Sequence, residues 1–308
     1  MPGDAFELVI IGGGPAGLTS GLYASRSRLN VLLLEKTAPG GMAGMTAEIE
    51  NYPGVLKTGG FDLVQIMEKQ CREFGCLIES GEVTSLEWRN GRFHIACADR
   101  VIQAQAVVMA TGTKYRRLDA PGEADLIGRG VSFCATCDAP FYRGREVAVI
   151  GGGNTACEEA LYLTRFASRV HLIHRRREFR ATRVVQERLN TNDKMRLVLD
   201  TIVERVTGKN GVDGLDLKNV NTGEQSHLPV DGVFVFIGLL PNSNLVKGMA
   251  DLTADGFIKT DQRMRTSRVG LFAAGDVRET ALRQVVTAAG DGAVAAFSAE
   301  EYLKSVSK

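Results

Sequence analysis

The residues best suited to chemistry in this 308-residue chain are Cys134 and Cys137, two residues apart and followed at once by Asp138. A C-x-x-C pair has four common uses. A haem attachment needs a histidine directly after the second cysteine, and position 138 holds aspartate. A structural zinc needs four ligands. Cys71, Cys76, Cys97 and Cys157 make no second C-x-x-C, and His94, His171, His174 and His227 lack zinc-finger spacing, so no metal is expected. A staple closing so small a loop stabilises little. The remaining use is a dithiol–disulfide couple, which hands electrons to another disulfide by thiolate attack. Such a motif gains thiolate character when its first cysteine opens a helix; Pro140 keeps any helix here short. Asp138 can relay the proton that balances thiolate formation. The other four cysteines read as small apolar packing residues.

The elements that must position this couple announce themselves as a repeat. "ELVIIGGGPAGLTSGLYASRSRLNVLLLEK" from Glu7 and "EVAVIGGGNTACEEALYLTRFASRVHLIHR" from Glu146 align at an offset of 139 residues. The offset takes Gly12 to Gly151, Gly14 to Gly153, Pro15 to Asn154, Ala16 to Thr155, Gly17 to Ala156 and Glu35 to His174. Each copy reads as strand, glycine turn, helix and second strand, a βαβ unit. The first glycine allows the tight turn, the second lets a pyrophosphate approach the backbone, and the third small residue lets helix and strand pack closely. The helix N-terminus then offers free N–H groups to the phosphates. Glu35 ends the second strand of the first copy and suits a ribose diol. His174, Arg175 and Arg176 occupy that place in the second copy, where cations suit a 2′-phosphate, as in NADPH. Between the copies, "VTSLEWRNGRFHIAC" alternates and turns at Asn90-Gly91, which predicts a hairpin forming a small sheet excursion.

Length allows two domains. The net charge of +1 provides no global field for nucleic acid or an anionic membrane, so neither is expected as a partner. No stretch reaches the length of a membrane helix. The apolar run Leu8 to Ile11 is too short for a targeting segment, so a cytoplasmic location is expected. There a C-x-x-C is more often catalytic or metal-binding than part of a disulfide framework.

Taken in order, "GGGPAG", "ENYPG", "ATGT", "CATCD", "GGGNTA", "HRRREFR" and "FAAGDV" with a later "RQ" resemble the low-molecular-weight thioredoxin reductase family across nearly the whole chain. The resemblance implies an α/β fold of two Rossmann-like nucleotide-binding domains of the FAD/NAD(P)-binding type, the FAD domain being discontinuous. It implies an FAD domain at 1–114 and 241–308 and an NADPH domain at 115–240 carrying the redox disulfide. It extends the flavin set of Gly12, Gly14, Pro15, Ala16, Gly17 and Glu35 to Lys36, Gly41, Met42, Asn51, Thr111, Gly112, Gly275, Asp276, Arg283 and Gln284. The NADPH set becomes Gly151, Gly153, Asn154, Thr155, Ala156, His174, Arg175, Arg176 and Arg180. By the same resemblance Cys137 faces the flavin and Cys134 attacks the partner's disulfide.

The implied activity runs from NADPH through FAD and the Cys134–Cys137 couple to thioredoxin, in a homodimer whose NADPH domain rotates about Gly112–Lys114 and Pro241–Ser243. The chain departs from the family at Met42, where glutamine is usual, at Leu282, where an aromatic is common, and at Glu279-Thr280-Ala281. A reductase of a small-molecule or other dithiol, and a flavin redox sensor, are the alternative readings.

Overall fold

The computed structural model describes residues 4–46, 49–98 and 100–306. The chain divides into two compact units, Met1–Lys114 with Leu240–Lys308, and Tyr115–Leu239.

The first unit opens with β1 (Ala5–Ile11), α1 (Pro15–Arg26) and β2 (Val31–Glu35), then α2 (Gly41–Gly44) and α3 (Gly60–Glu73). It continues through β3 (Leu77–Ser80), β4 (Val83–Arg89), β5 (Arg92–Cys97) and β6 (Arg100–Met109) to β7 (Thr113–Tyr115), where the chain leaves it. Its sheet has the order β3-β2-β1-β6-β5-β4. Parallel strands covered on both faces read as unbroken apolar runs, and β1 and β2 do. Leu8, Ile10 and Leu33 enter one core, while Val9, Ile11, Leu32 and Leu34 enter the other.

Asn90 and Gly91 turn the β4–β5 hairpin with φ of 53° and 75°, the double positive φ of the tight hairpin turn. The hairpin is not a small excursion but a continuation of the main sheet. Its cause is the length of β6, ten residues. Arg100–Ala104 pair antiparallel with β5, leaving Val107–Met109 free on that edge for a later strand.

The second unit holds β8 (Val131–Ser132), α4 (Ala135–Asp138), β9 (Glu146–Ile150), α5 (Asn154–Leu163), β10 (Arg169–Ile173), α6 (Arg183–Asn190) and β11 (Met195–Val198). An antiparallel sheet follows, made of β12 (Thr201–Thr207), β13 (Gly214–Asn219) and β14 (Gln225–Pro229). The chain then re-enters the parallel sheet as β15 (Gly232–Val235), giving the order β11-β10-β9-β15-β8. The crossing strand β16 (Leu239–Pro241) pairs with β7, so the two connections run side by side. Back in the first unit, β17 (Leu271–Ala273) fills the free edge of β6, and the 22-residue α7 (Val285–Val306) ends the chain. Helices α7 and α1 meet at Gly292, where a Cβ would stand 2.2 Å from the Ala16 carbonyl oxygen. Only glycine permits that approach, and Ser20 Oγ donates to the Gly292 carbonyl across it at 3.0 Å.

Candidate active site

Cys134 and Cys137 form a disulfide with their Cα atoms 5.3 Å apart. Cys134 is the N-cap of α4, a single turn that Pro140 prevents from lengthening as an α-helix. Both cysteines are half-buried. Ser132, buried on β8, anchors the start of the turn by accepting the Cys134 N–H at 3.1 Å. Asp138 ends the same turn, its N–H donating to the Cys134 carbonyl at 3.2 Å. Burial raises the Asp138 carboxyl above the ordinary carboxylate range, and a hydrogen bond with Ser132 opposes this in part. A carboxyl so shifted holds a proton closer to neutral pH, as a proton donor to a leaving thiolate needs. Burial also pushes Tyr142 up to about 12, so it stays a neutral phenol.

In the second unit the loop from β9 to α5 carries Gly151 and Gly153. Helix α5 starts at Gly153 with no side chain capping it, and a Cβ on Gly153 would meet nothing within 4 Å. Free N–H groups facing open space are what a pyrophosphate requires. Asn154 Oδ1 is already engaged, accepting the Thr182 N–H at 2.8 Å, and Thr155 lies exposed beside it. Ala156 packs its methyl toward Gly151, where a Cβ would come within 2.5 Å of it. Arg175, Arg176 and Arg180 are exposed and have no ion pair among the described residues, whereas Arg177 lies 3.7 Å from Asp200. Three unneutralised guanidiniums beside such a loop fit a phosphate dianion.

His174 does not join them. It is 8% exposed, lies under Gly152 where a Cβ would come within 2.2 Å of its ring, and stacks on Phe179 at 5.4 Å. Burial pushes its pKa down, the neighbouring arginines push the same way, and it is a neutral packing ring rather than a cation.

In the first unit the matching loop is built tighter. Gly12 has φ of 110°, and a Cβ there would fall 2.4 Å from the Ala110 carbonyl oxygen. A Cβ on Gly17 would fall 1.8 Å from the Gly12 carbonyl oxygen. Gly14 caps α1 with Pro15 at its first position, no side chain closing the end and open space in front. Glu35 braces the loop, its carboxylate accepting the Gly13 N–H at 2.6 Å and the Thr37 N–H at 3.1 Å. These residues fit a second dinucleotide.

The remaining expected positions lie in the same unit. Gly41 approaches Gly14, Lys36 pairs with Glu82 at 2.7 Å, and Asn51 donates to Gln284 Oε1 at 3.0 Å. Met42 offers its sulfur to the Thr113 hydroxyl at 3.8 Å. The Thr111 hydroxyl donates to the Asn242 carbonyl at 2.8 Å, and the Asn242 side chain and backbone return bonds to Thr111 and Gly112. Gly275 packs against Ala16, and Asp276 beside it has its carboxyl pushed by burial to about 6. Arg283 lies over the Phe257 ring at 4.4 Å, with its Nε buried and unpartnered.

Three supporting roles escaped the sequence reading. Ser132 holds the cysteine turn, and Asn242, within the expected Pro241–Ser243 hinge, ties the strand ends at Thr111. Asp291 accepts from the Arg278 guanidinium at 2.7 Å and from the Gly275 N–H at 3.1 Å. An aspartate between two glycines in the mostly apolar first half of α7 was the available signal for Asp291. Asn242 carried none.

Fold and site together define a disulfide oxidoreductase of the two-nucleotide-loop type, with one vicinal sulfur couple in the second unit. The chain belongs to the pyridine nucleotide-disulphide oxidoreductase family, whose pattern matches residues 6–292. It is 43% identical over 302 residues to the thioredoxin reductase of Treponema pallidum (strain Nichols), covering 98% of each chain. It is 40% identical to that of Bacillus subtilis (strain 168), covering 98% of this chain and 95% of the other. The crystal structure of thioredoxin reductase from Streptococcus pyogenes MGAS5005 superposes with a TM-score of 0.89 at 41% identity, covering 98% and 99% of the two chains. The protein is an oxidoreductase, and the cofactors of its family are FAD and NADPH. Among the described residues no helix is long and apolar enough to cross a membrane.

Proposed function

We propose that this chain is an NADPH-dependent reductase of thioredoxin. The observation that carries the reading is the half-buried Cys134–Cys137 disulfide at the start of a one-turn helix, in the unit that also bears an uncapped glycine loop and the exposed guanidiniums of Arg175, Arg176 and Arg180. Bound FAD would supply hydride acceptance from NADPH and two-electron delivery to this disulfide.

Residues 1–114 with 240–308 would hold FAD through the Gly12–Gly17 loop and Glu35, with Asp276, Arg283 and Gln284 also contributing to its site. Residues 115–239 hold NADPH through the Gly151–Ala156 loop, with Arg175, Arg176 and Arg180 on the 2′-phosphate and His174 beneath the loop.

Cys134 in the reduced couple attacks one sulfur of the thioredoxin disulfide, forming a mixed disulfide and expelling a thiolate. Asp138 supplies the proton that thiolate takes up. Cys137 then attacks Cys134, which releases reduced thioredoxin and restores the Cys134–Cys137 bond. Two electrons leave the couple and two enter thioredoxin. The couple and the NADPH loop share one unit and the flavin loop lies in the other, so turnover needs the units to present each group in turn about β7 and β16. The absence of a disulfide framework among the four remaining cysteines supports a reducing, cytoplasmic setting. Exposed Tyr23 on α1 and Phe61 and Ile66 on α3 support a homodimer.

The test is spectroscopic. Purified protein is expected to be yellow, to bleach with NADPH under nitrogen, and to recolour when oxidised thioredoxin is added. Cys134→Ser should bleach as before and fail to reduce thioredoxin. Recolouring by small disulfides but not by any thioredoxin would mark a small-molecule reductase. Bleaching with no disulfide acceptor at all would mark a flavin sensor.

A further inference from the structure

Cys71 and Cys76 are five residues apart, too far for a C-x-x-C, and as sequence they read as packing. Their backbone says more. Gly75, with φ of 93°, ends α3 in the left-handed conformation. The Cys76 N–H donates to the Cys71 carbonyl at 3.2 Å, and the Gly75 N–H donates to the Arg72 carbonyl at 2.9 Å. These two bonds are the paired helix stop that brings the side chains at its two ends together. Here the residues brought together are both thiols. Both sulfurs crowd one point on α1: a Cβ on Gly21 would lie 2.6 Å from the Cys71 sulfur and 3.0 Å from the Cys76 sulfur. Only a glycine at 21 leaves room for the pair.

We propose that Cys71 and Cys76 are a second dithiol, separate from the catalytic couple, which a small thiol oxidant closes into a Cys71–Cys76 disulfide stapling the end of α3 to the start of β3. Both thiols are free in this structure and buried. The Cys71 thiol hydrogen-bonds to Cys76, and the Cys76 thiol donates to the Leu77 carbonyl at 3.8 Å. Cys76 is the more acidic of the two. The bond from Cys71 lowers its pKa, the Ser25 hydroxyl beside it and Arg72 act the same way, and only burial opposes them. The Cys71 pKa is raised by the same hydrogen bond, by burial and by Cys76 itself. The oxidant takes two electrons and both thiol protons, and a Cys71–Cys76 S–S bond replaces two S–H bonds. Access is by local opening, since β3 is the edge strand of its sheet, paired among the described residues with β2 alone.

The experiment uses the flavin-loaded protein, reduced with dithiothreitol, desalted under nitrogen and exposed to the azodicarboxamide diamide. Remaining thiols are alkylated in denaturant and the protein is cut with trypsin. Cleavage after Arg72 separates the two cysteines, so a closed staple appears as the peptide ending at Arg72 joined to the one starting at Glu73. The expected result is that joined pair, lost on dithiothreitol treatment, with amide exchange over residues 73–80 slowed about threefold or more in the oxidised protein. Cys71→Ser and Cys76→Ser should each remove the linkage while NADPH-driven disulfide reduction continues. Cys71 and Cys76 fully alkylated after diamide, with Cys134–Cys137 re-formed, would overturn the proposal. So would either thiol linked instead to Cys97, Cys157 or another molecule.

Discussion

The two glycine loops share a design and end on opposite chemistry. In the first unit, Glu35 at the end of β2 turns its carboxylate back onto the Gly13 N–H. In the second unit, His174 after β10 slides its ring beneath the equivalent Gly152 and leaves the charge to the arginines that follow. The loops also close differently. Gly17 lies so near the Gly12 carbonyl that no side chain fits, whereas Ala156 places a methyl against Gly151. The comparison teaches that a duplicated βαβ frame fixes where a pyrophosphate goes, while the residues at the end of its second strand decide which ribose it carries.

The largest effect expected from breaking this comparison is at Gly17. Gly17→Ala forces a methyl into backbone, and the protein should lose FAD affinity by about 100-fold or more, read as loss of the yellow colour on gel filtration; about 3 kcal/mol is the upper end of the usual cost of overpacking. Ala156→Gly, which only removes a methyl from the second loop, should change the KM for NADPH by about threefold or less. Equal effects at the two sites would end the distinction between the loops.

Next come the guanidiniums. Arg175→Ala and Arg176→Ala should each raise the KM for NADPH by about 10- to 100-fold, the worth of one charge-assisted contact, and leave the KM for NADH unchanged. A parallel rise for NADH would show that they serve the loop and not the 2′-phosphate. His174→Phe keeps a flat ring under Gly152 and should alter NADPH preference far less than either arginine variant.

Glu35→Gln keeps an acceptor for the Gly13 N–H and loses the charge. FAD affinity measured by fluorescence should fall about tenfold.

The smallest effect concerns pH. Burial holds the Asp276 carboxyl at about 6, while in the unfolded chain it ionises near 4. Folding therefore takes up a proton between those values, and the stability this residue gives is present below pH 4 and lost as pH rises through 6. Asp276→Asn should remove that slope. In flavin-free protein its Tm should rise relative to the parent as pH goes from 4 to 7, by a few degrees. An unchanged difference across that range would show that the carboxyl is ionised throughout.

Much of the site was legible because local patterns carry it. The repeat offset, the glycine spacing, the arginine run and the C-x-x-C pair each depend on residues adjacent in sequence, and so does the hairpin turn at Asn90-Gly91. What escaped depends on distant contacts. The split edge of β6 follows from its pairing with β5 on one half and β17 on the other, strands more than 170 residues apart. Asn242 serves Thr111 across 131 residues, and no local pattern marks such a partner. The inward turn of His174 is decided by Gly152 and Phe179, which its neighbours in "HRRR" do not reveal.

The amino-acid order alone determined the βαβ duplication, the redox character of Cys134 and Cys137 and the basic end of the second loop, since short-range spacing and side-chain type suffice for those. Tertiary structure decided which charges stay exposed, which carboxyls are desolvated and which thiols touch. Burial and contact are properties of what packs against a residue: Gly21 on α1 against Cys71 and Cys76, and Gly152 against His174, come from other parts of the chain.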